Sequence, residues 1–141
     1  MLSKSCEYAI RAVLYLSINS TEDNKIGIKT IAEDLKIPAS FLSKILQKLV
    51  KHKLIHSSKG NTGGFYVEEN INRQPIIAIV EIIDGLNSFQ KCSMGLKQCS
   101  HKKPCVLHNS FQKSRNEMFN TLKKTSIMEM SLNVTNGLTY I

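Results

Sequence analysis

The alternation of apolar and polar residues predicts a chain that is mainly α-helical. Across residues 3–19, apolar side chains recur every three or four positions, which is the period of one buried helix face. Ser3 is a suitable N-cap, because its hydroxyl can accept a hydrogen bond from a free N–H of the first turn. The next segment, 20–27, is polar and acidic and is predicted to be a loop.

Two helices joined by a tight turn are predicted next. The first covers 28–35, a turn contains Pro38, and the second covers 39–52. Helix, short turn and a second helix with a polar outer face are typical of a helix-turn-helix. The inner face of the second helix is predicted to be one apolar stripe made of Phe41, Leu42, Ile45, Leu46, Leu49 and Val50.

A β-hairpin is predicted directly after the second helix. Residues 54–57 and 65–68 have strand character, and the turn-rich sequence SKGNTGG at 58–64 separates them. A hairpin in this place is the wing of a winged helix-turn-helix. The predicted fold class is therefore mainly α, with a two-stranded β wing.

The second half of the chain is predicted to be helical as well. A connector is predicted at 70–75, and a helix at 76–86 that Gly85 ends. A helix is favoured here because Glu81 and Asp84 fall on one polar side. A strand is the competing prediction, since β-branched residues abound there. A long C-terminal helix is predicted for 106–124, followed by a tail at 125–141 with one short helix and a polar end.

The long helix needs a surface on which to bury its apolar side. Its copy in a second subunit would provide one through a two-fold symmetric contact, and its own domain is the alternative. We predict one continuous domain: residues 1–72 form the winged helix-turn-helix region, and 73–141 hold a cysteine-bearing loop and the dimerisation helix.

The charge of the chain favours a nucleic-acid partner. The formal net charge is +8, and many of the lysines lie in and around the helix-turn-helix. The outer face of the second helix and the wing tip can reach the major and minor grooves of double-stranded DNA. For any single lysine, a solvated surface charge is the simpler interpretation. The candidate DNA contacts are Ser40, Ser43, Lys44, Gln47, Lys48, Lys59, Asn61 and Thr62.

The segment CSMGLKQCSHKKPCVLH at 92–108 carries the candidate metal chemistry. It holds Cys92, Cys99 and Cys105, with His108 three positions after the last cysteine. Thiolates and imidazole bind iron–sulfur clusters or zinc. The segment lacks the CxxC pair of a zinc knuckle, but zinc remains an alternative to an iron–sulfur cluster. Another alternative is that the cysteines lie in a loop and bind no metal. Cys6 is predicted to be a small buried side chain instead.

Other features narrow the class of protein. The N-terminus does not have the pattern of a signal peptide, and no apolar run is long enough to span a membrane. A cytoplasmic location is therefore expected, where clustered cysteines favour metal or redox chemistry over disulfides. The sequence lacks a phosphate-binding loop, a nucleophile elbow and an HExxH motif, so an enzyme is not predicted.

Four stretches resemble the Rrf-two (BadM-type) family of bacterial winged-helix regulators over nearly the whole length. They are SKSCEYAIRAVLYL, the helix-turn-helix IAEDLKIPASFLSKILQKLVKHKLI, the wing SSKGNTGGFYV and the loop ending PCVLH. The resemblance implies a homodimer with paired long helices. A lysine, Lys59, stands where the wing arginine is common in the family, so minor-groove selectivity is expected to be weaker.

The resemblance also implies an iron–sulfur cluster held by Cys92, Cys99 and Cys105. His108 matches the fourth ligand of IscR-like members, which hold a 2Fe–2S cluster. This chain keeps the Cys-x-x-His spacing from Cys105 to His108, which favours His108 as the fourth ligand. In NsrR-like members, Glu7 of the other subunit would complete a 4Fe–4S site. The first cysteine gap is one residue longer than in IscR-like members, so the loop geometry does not transfer directly.

The expected function is a homodimeric DNA-binding transcription regulator, with a repressor favoured. Its cluster would sense cluster supply, nitric oxide or redox state. One alternative is the same regulator with a zinc or thiol site in the loop. Another is a basic thiol or metal module that binds an acidic protein.

Overall fold

The computed structural model describes residues 2–90 and 104–141. In these ranges the chain is mostly helical and has one small antiparallel sheet, which confirms the predicted fold class. The helices are α1 Lys4–Asn19, α2 Ile28–Leu35, α3 Ala39–Lys51, α4 Glu69–Asn72, α5 Ile77–Ile83, α6 His108–Lys124 and α7 Ile127–Thr135, with a 3-10 turn at Leu86–Phe89 and strands β1 His56–Ser58 and β2 Gly64–Tyr66.

Helix α1 is the centre of the fold. It begins as predicted at Ser3, whose hydroxyl accepts the Cys6 N–H at 3.1 Å. It ends where the Ser20 hydroxyl donates to the Leu16 carbonyl at 2.6 Å. The helix packs against α2, α3, α5 and α7, so it is buried on several sides. Its fully buried side chains are those of Cys6, Ala9, Ala12, Val13, Leu14 and Leu16.

The helix-turn-helix is confirmed, and its turn is compact. Lys36 adopts the left-handed conformation with φ 54°, which allows the chain to leave α2 sharply. The Ile37 N–H then donates to the Ala32 carbonyl at 3.0 Å. Because Leu35 and Ile37 are both buried, the turn is held by the core beneath it.

The wing is confirmed, but its strands lie slightly nearer the tip than predicted. Leu54 and Ile55 are buried in the core before the pairing begins. The register pairs His56 with Tyr66, Ser57 with Phe65 and Ser58 with Gly64. Burial of the first two residues therefore takes them out of the exposed ladder.

The wing is also attached to the segment before α2, which was predicted only as a loop. Ile26 and Phe65 exchange two backbone hydrogen bonds, of 3.0 and 2.9 Å. A Cβ on Gly64 would lie 2.7 Å from the Ile26 carbonyl oxygen, so this close approach requires glycine. The wing is thus fixed to the helix-turn-helix by backbone contacts.

Helix, not strand, is the correct prediction for the segment after the connector. Helix α5 ends at Ile83, and Gly85 follows with φ 72°. The connector itself contains the one-turn helix α4, which was not predicted. The Ser17 hydroxyl donates to Asn72 of this turn at 2.8 Å, so a side chain of α1 helps to hold it.

Helices α6 and α7 differ in how they are attached. Within the described residues, His108 is the one α6 residue that is buried. The predicted short helix of the tail is α7, and it packs on α1, where Ser131 donates to Ser17 at 3.0 Å and Ile127 is fully buried. In the part of the chain that the structure describes, no helix is long and apolar enough to cross a membrane.

Candidate functional site

The outer face of α3 carries polar side chains as expected. Four apolar residues are buried on the inner face of this helix, which leaves Ser40, Lys44 and Gln47 exposed. Ser43 is half-buried and accepts a hydrogen bond from the Gln47 amide at 3.4 Å, one helical turn away. A row of hydroxyl, amide and ammonium groups on one exposed helix face can read base edges in a major groove.

Phe41 departs from the predicted apolar stripe. Its side chain is 40% exposed, and its ring meets Tyr8 of α1 edge-on, with centroids 5.7 Å apart. The sequence pattern predicts Phe41 as part of the continuous apolar stripe of α3, yet Phe41 lies at the margin of that stripe. Phe41 therefore adds an apolar group beside Ser40 and Lys44, of the kind that can contact a thymine methyl.

The wing tip presents Lys59, Asn61 and Thr62 to solvent. Gly60 has φ 104°, and its carbonyl accepts the Gly63 N–H at 3.0 Å, which closes the tip. A Cβ at Gly63 would lie 2.4 Å from the Ser58 carbonyl oxygen. The glycines thus give a tight turn that leaves its three polar side chains free to meet a groove or a phosphate.

The base of the wing is stiffened by side chains that sequence reasoning did not single out. His56 stacks on Tyr66 with ring centroids 5.3 Å apart, and its Nε2 lies 3.4 Å from a Glu68 carboxylate oxygen. The Lys25 ammonium lies 5.6 Å from the centroid of the Tyr66 ring. The pairing of His56 with Tyr66 across the two strands is the signal that could have found this cluster.

Lys48 is placed differently from the other candidate DNA contacts. Its backbone belongs to α3 and its side chain is exposed, but its ammonium donates to the Ile83 carbonyl of α5 at 2.9 Å. The side chain is therefore directed toward the C-terminal end of α5.

The structure describes part of the candidate metal centre. Cys105 is a half-buried free thiol, and His108 is 5% exposed and opens α6. The His108 N–H donates to the Cys105 carbonyl at 3.0 Å, which puts both residues on one turn of the chain. Cys92 and Cys99 lie outside the described residues.

The donor set fits a thiolate-bound centre as far as it is described. A partly exposed cysteine on the same turn as a histidine is a reasonable half of an iron–sulfur or zinc site. Among residues 2–90 and 104–141, no group of three or more histidine, cysteine or acidic side chains forms a metal site. A complete site would therefore need Cys92 and Cys99 as well.

Glu7, the other candidate ligand, is on the first turn of α1. Its exposed carboxylate accepts the Lys4 ammonium at 2.7 Å, and this hydrogen bond raises the pKa of Lys4. The Lys4 ammonium also lies 5.5 Å from the centroid of the Tyr8 ring. Lys4 is bonded to one carboxylate oxygen of Glu7, Oε2, so a metal would compete with the Lys4 ammonium for this carboxylate.

Cys6 has the environment of a structural residue, as predicted. It is 0% exposed, and burial, with smaller contributions from Asp84 and Glu7, raises the pKa of its thiol to about 12. A thiol that stays protonated at neutral pH is a poor nucleophile and a poor metal ligand.

These features define a winged-helix transcription regulator with a cysteine-containing segment before its long helix. The sequence matches the Rrf2 family, described as iron-dependent transcriptional regulators, over residues 2–133. The chain therefore belongs to the Rrf2 family. The members of this family are transcriptional regulators and not enzymes.

Individual relatives agree with this assignment. A protein of Aquifex aeolicus, whose name assigns it to the HTH-type transcriptional regulators, is 27% identical over 132 residues, covering 92% of this chain and 90% of the relative. The HTH-type transcriptional regulator IscR of Pectobacterium atrosepticum is 23% identical over 129 residues, covering 92% of this chain and 77% of IscR. The solved structure of T. potens IscR has the same fold, with a TM-score of 0.75 at 17% identity, and the match covers 100% of this chain and 93% of that one.

Proposed function

We propose that this regulator acts as a cytoplasmic homodimer that binds a double-stranded DNA operator, as a repressor, and that an iron–sulfur cluster controls it. The cluster would report cluster supply, nitric oxide or redox state. The observation that carries the DNA part is the exposed polar row of Ser40, Lys44 and Gln47, beside a wing attached by backbone hydrogen bonds.

Operator binding would be shared between α3 and the wing. Lys44 can donate to guanine and Gln47 can pair with adenine in the major groove, and Ser40 can bind a base or a phosphate. Lys59, Asn61 and Thr62 at the wing tip would reach the minor groove or its phosphates. Ser43 would hold Gln47 in place through the hydrogen bond between their side chains.

The sensing part rests on the turn that joins Cys105 to His108. A cluster there would supply a redox-active centre that oxidants and nitric oxide can reach. Cys92, Cys99 and Cys105 would be thiolate ligands, and His108 would be the fourth ligand of a 2Fe–2S site. Glu7 of a second subunit is the alternative fourth ligand, for a 4Fe–4S site.

Dimerisation is supported by α6. This helix has 17 residues, and most of its side chains are left half-buried or exposed by the rest of the chain that the structure describes. Pairing of two copies of α6 would cover them. The same pairing would set the distance between two α3 helices, which must match half-sites about one helical turn apart. Ligand binding just before α6 would then alter operator affinity through that distance.

The DNA part is tested by changing Ser40 and Lys44 to alanine together. Operator sites are first selected from random duplexes, and specific and scrambled duplexes are then compared by fluorescence anisotropy. The double variant should lose roughly 1–3 kcal/mol of discrimination per lost base contact. Lys124→Ala removes an exposed charge from the end of α6 and should leave the ratio of affinities unchanged. An unchanged ratio in the double variant would favour a basic module that binds an acidic protein.

The sensing part is tested by anaerobic absorption spectra with iron, sulfide and zinc analysis of fresh protein. We expect brown protein with iron and sulfide in similar amounts. Cys92→Ala should lose the colour and change operator affinity, and Cys6→Ala is the matched control that should keep both. Colourless protein that contains zinc would instead support a structural zinc site.

A further inference from the structure

The C-terminal end of α5 is a point where three helices are joined by hydrogen bonds. Lys48 of α3 donates to the Ile83 carbonyl at 2.9 Å. The next residue, Asp84, accepts the Ser3 N–H at 2.8 Å and the Ser3 hydroxyl at 2.5 Å. We call Ser3, Lys48, Ile83 and Asp84 the α5 junction.

The Lys48 contact is a favourable one for a helix end. The last four carbonyls of a helix lack partners within the helix, and the C-terminus carries a partial negative charge. A lysine ammonium from a neighbouring helix satisfies both the hydrogen bond and the charge. Gly85 turns the chain away at φ 72°, so the end of α5 is well defined.

Ser3 extends this connection to α1. Its hydroxyl donates to Asp84 and at the same time accepts the Cys6 N–H at 3.1 Å, so one side chain begins α1 and holds the end of α5. Beneath it, Cys6 packs with Ile77 and Val80 in a buried cluster. The junction therefore joins the start of α1, the last turn of α3 and the end of α5.

We propose that Lys48 is a positioning residue that holds the recognition helix α3 against α5, and that it is not a phosphate contact. The proposal deepens the operator-binding function and rests on it. Helix α5 packs against α6, the helix proposed to carry the dimer interface. The bond from Lys48 to Ile83 would thus help to set where each α3 lies relative to its partner's α3. It replaces our expectation that Lys48 binds DNA directly.

The two roles predict different dependence on salt. Affinity for DNA falls as salt rises, and each lysine that neutralises a phosphate adds about 0.9 to the magnitude of the slope of log affinity against log salt concentration. We call this magnitude the slope. A lysine that positions α3 through a backbone carbonyl leaves the number of phosphate contacts unchanged. Its loss should lower the affinity for the operator without lowering the slope.

The experiment compares Lys48→Met, Lys48→Arg and Lys59→Met in the full-length protein, on the selected operator duplex, at several salt concentrations. Lys48→Met should weaken binding roughly 3- to 30-fold with the slope unchanged. Lys48→Arg keeps a donor and should restore most of the affinity. Lys59→Met, the control at the wing tip, should lower the slope. A slope lowered by about one in Lys48→Met, or an unchanged affinity, would overturn the proposal.

A second measurement tests whether the junction acts as a unit. Asp84→Asn removes the carboxylate charge that holds Ser3. If the two bonds act together, the double variant Asp84→Asn and Lys48→Met should show a smaller fold-loss of operator affinity than the product of the fold-losses of the two single variants. Strictly multiplicative losses would show that the two bonds act independently and would contradict the junction. The absence of any sequence preference in DNA binding by the wild-type protein is a separate result, which would overturn the proposed function itself.

Discussion

Helices α3 and α6 are both amphipathic, but the rest of the chain supports them very differently. Helix α3 has 13 residues and buries Leu42, Ile45, Leu46 and Leu49. Helix α6 has 17 residues and, within the described part of the chain, buries His108 alone. Phe119 and Leu122 of α6 pack against the small cluster of Cys6, Ile77 and Val80, and Leu122 also packs against the larger core.

The comparison shows what an apolar stripe can indicate. In α3 the stripe marks a core that the chain makes for itself, and the opposite face stays polar and exposed. In α6 a similar stripe marks a surface that the described chain covers only in part. A helix with few buried groups gains little from tertiary packing, and isolated helices of this length are marginal in water.

The largest expected effect separates the core from the surface. Leu46 is fully buried, so Leu46→Ala should lower the free energy of unfolding by about 2–5 kcal/mol through lost contacts and a cavity. Leu132 is 54% exposed on α7, and Leu132→Ala should cost less than about 0.5 kcal/mol. Urea denaturation followed by circular dichroism measures both. Similar losses in the two variants would mean that Leu46 is not held in a tightly packed core.

The wing provides the next test, because it is attached through Ile26 to the well-packed helix-turn-helix region. Gly64→Ala places a Cβ 2.7 Å from the Ile26 carbonyl oxygen and should cost about 1–3 kcal/mol, since two backbones must separate. Gly27→Ala is the matched control, because its Cβ meets nothing within 4 Å. Thermal unfolding and operator affinity should both fall for Gly64→Ala and change far less for the control.

A charge on α6 should affect association more than folding. Met118 is half-buried in the single chain, and Met118→Asp should weaken the proposed dimer about tenfold, or about 1.4 kcal/mol. Asn116→Asp adds the same charge at an exposed position two residues away and serves as the control. Sedimentation equilibrium measures the dissociation constant. A dimer unaffected by Met118→Asp would place the interface elsewhere.

The smallest effect concerns the two cysteines of the described chain. In metal-free protein at neutral pH, iodoacetamide should modify the half-buried Cys105 well before the fully buried Cys6. Burial raises the pKa of Cys6 from 9.0 to about 12, so little reactive thiolate exists in the folded state. Peptide mass spectrometry over time would show the order, and equal rates would mean that α1 opens readily.

The same raised pKa has a consequence at alkaline pH. The folded state holds the Cys6 proton more tightly than the unfolded state, so the contribution of this thiol is complete below pH 9.0. It is lost as the pH rises from 9.0 toward about 12. Cys6→Ala removes that contribution and should make the alkaline decline in stability shallower.

Much of the local structure could be predicted because it depends on short-range rules. The N-cap at Ser3, the turn after α2 and the glycine after α5 follow from side-chain hydrogen bonding and backbone freedom at single positions. The resemblance also led to the correct family. The exposure of Ser40, Lys44 and Gln47 on α3 could be predicted because the helix has one clearly apolar side, and their contact with DNA stays a prediction.

The other features could not be predicted from spacing. The position of Phe41 predicts a core residue, yet its side chain is 40% exposed and meets Tyr8 in a T-shaped contact. The short helix α4 has too few residues to show a period, and its attachment to Ser17 comes from a distant part of the chain. The candidate metal ligands Cys92 and Cys99 lie outside the described residues, so their roles stay predictions.

The amino-acid sequence alone is enough to predict the longer helices, the wing, the basic outer face of α3 and the supply of candidate cysteine ligands, since each depends on residue type and near neighbours. The tertiary structure decided which polar side chains remain available to a partner. Lys44 and Lys48 are one turn apart on α3 and look equivalent in the sequence. Only packing of α5 beside α3 brings the Ile83 carbonyl, 35 positions away, within reach of the Lys48 ammonium. A contact between distant segments depends on how the helices pack, and local sequence patterns do not encode that packing.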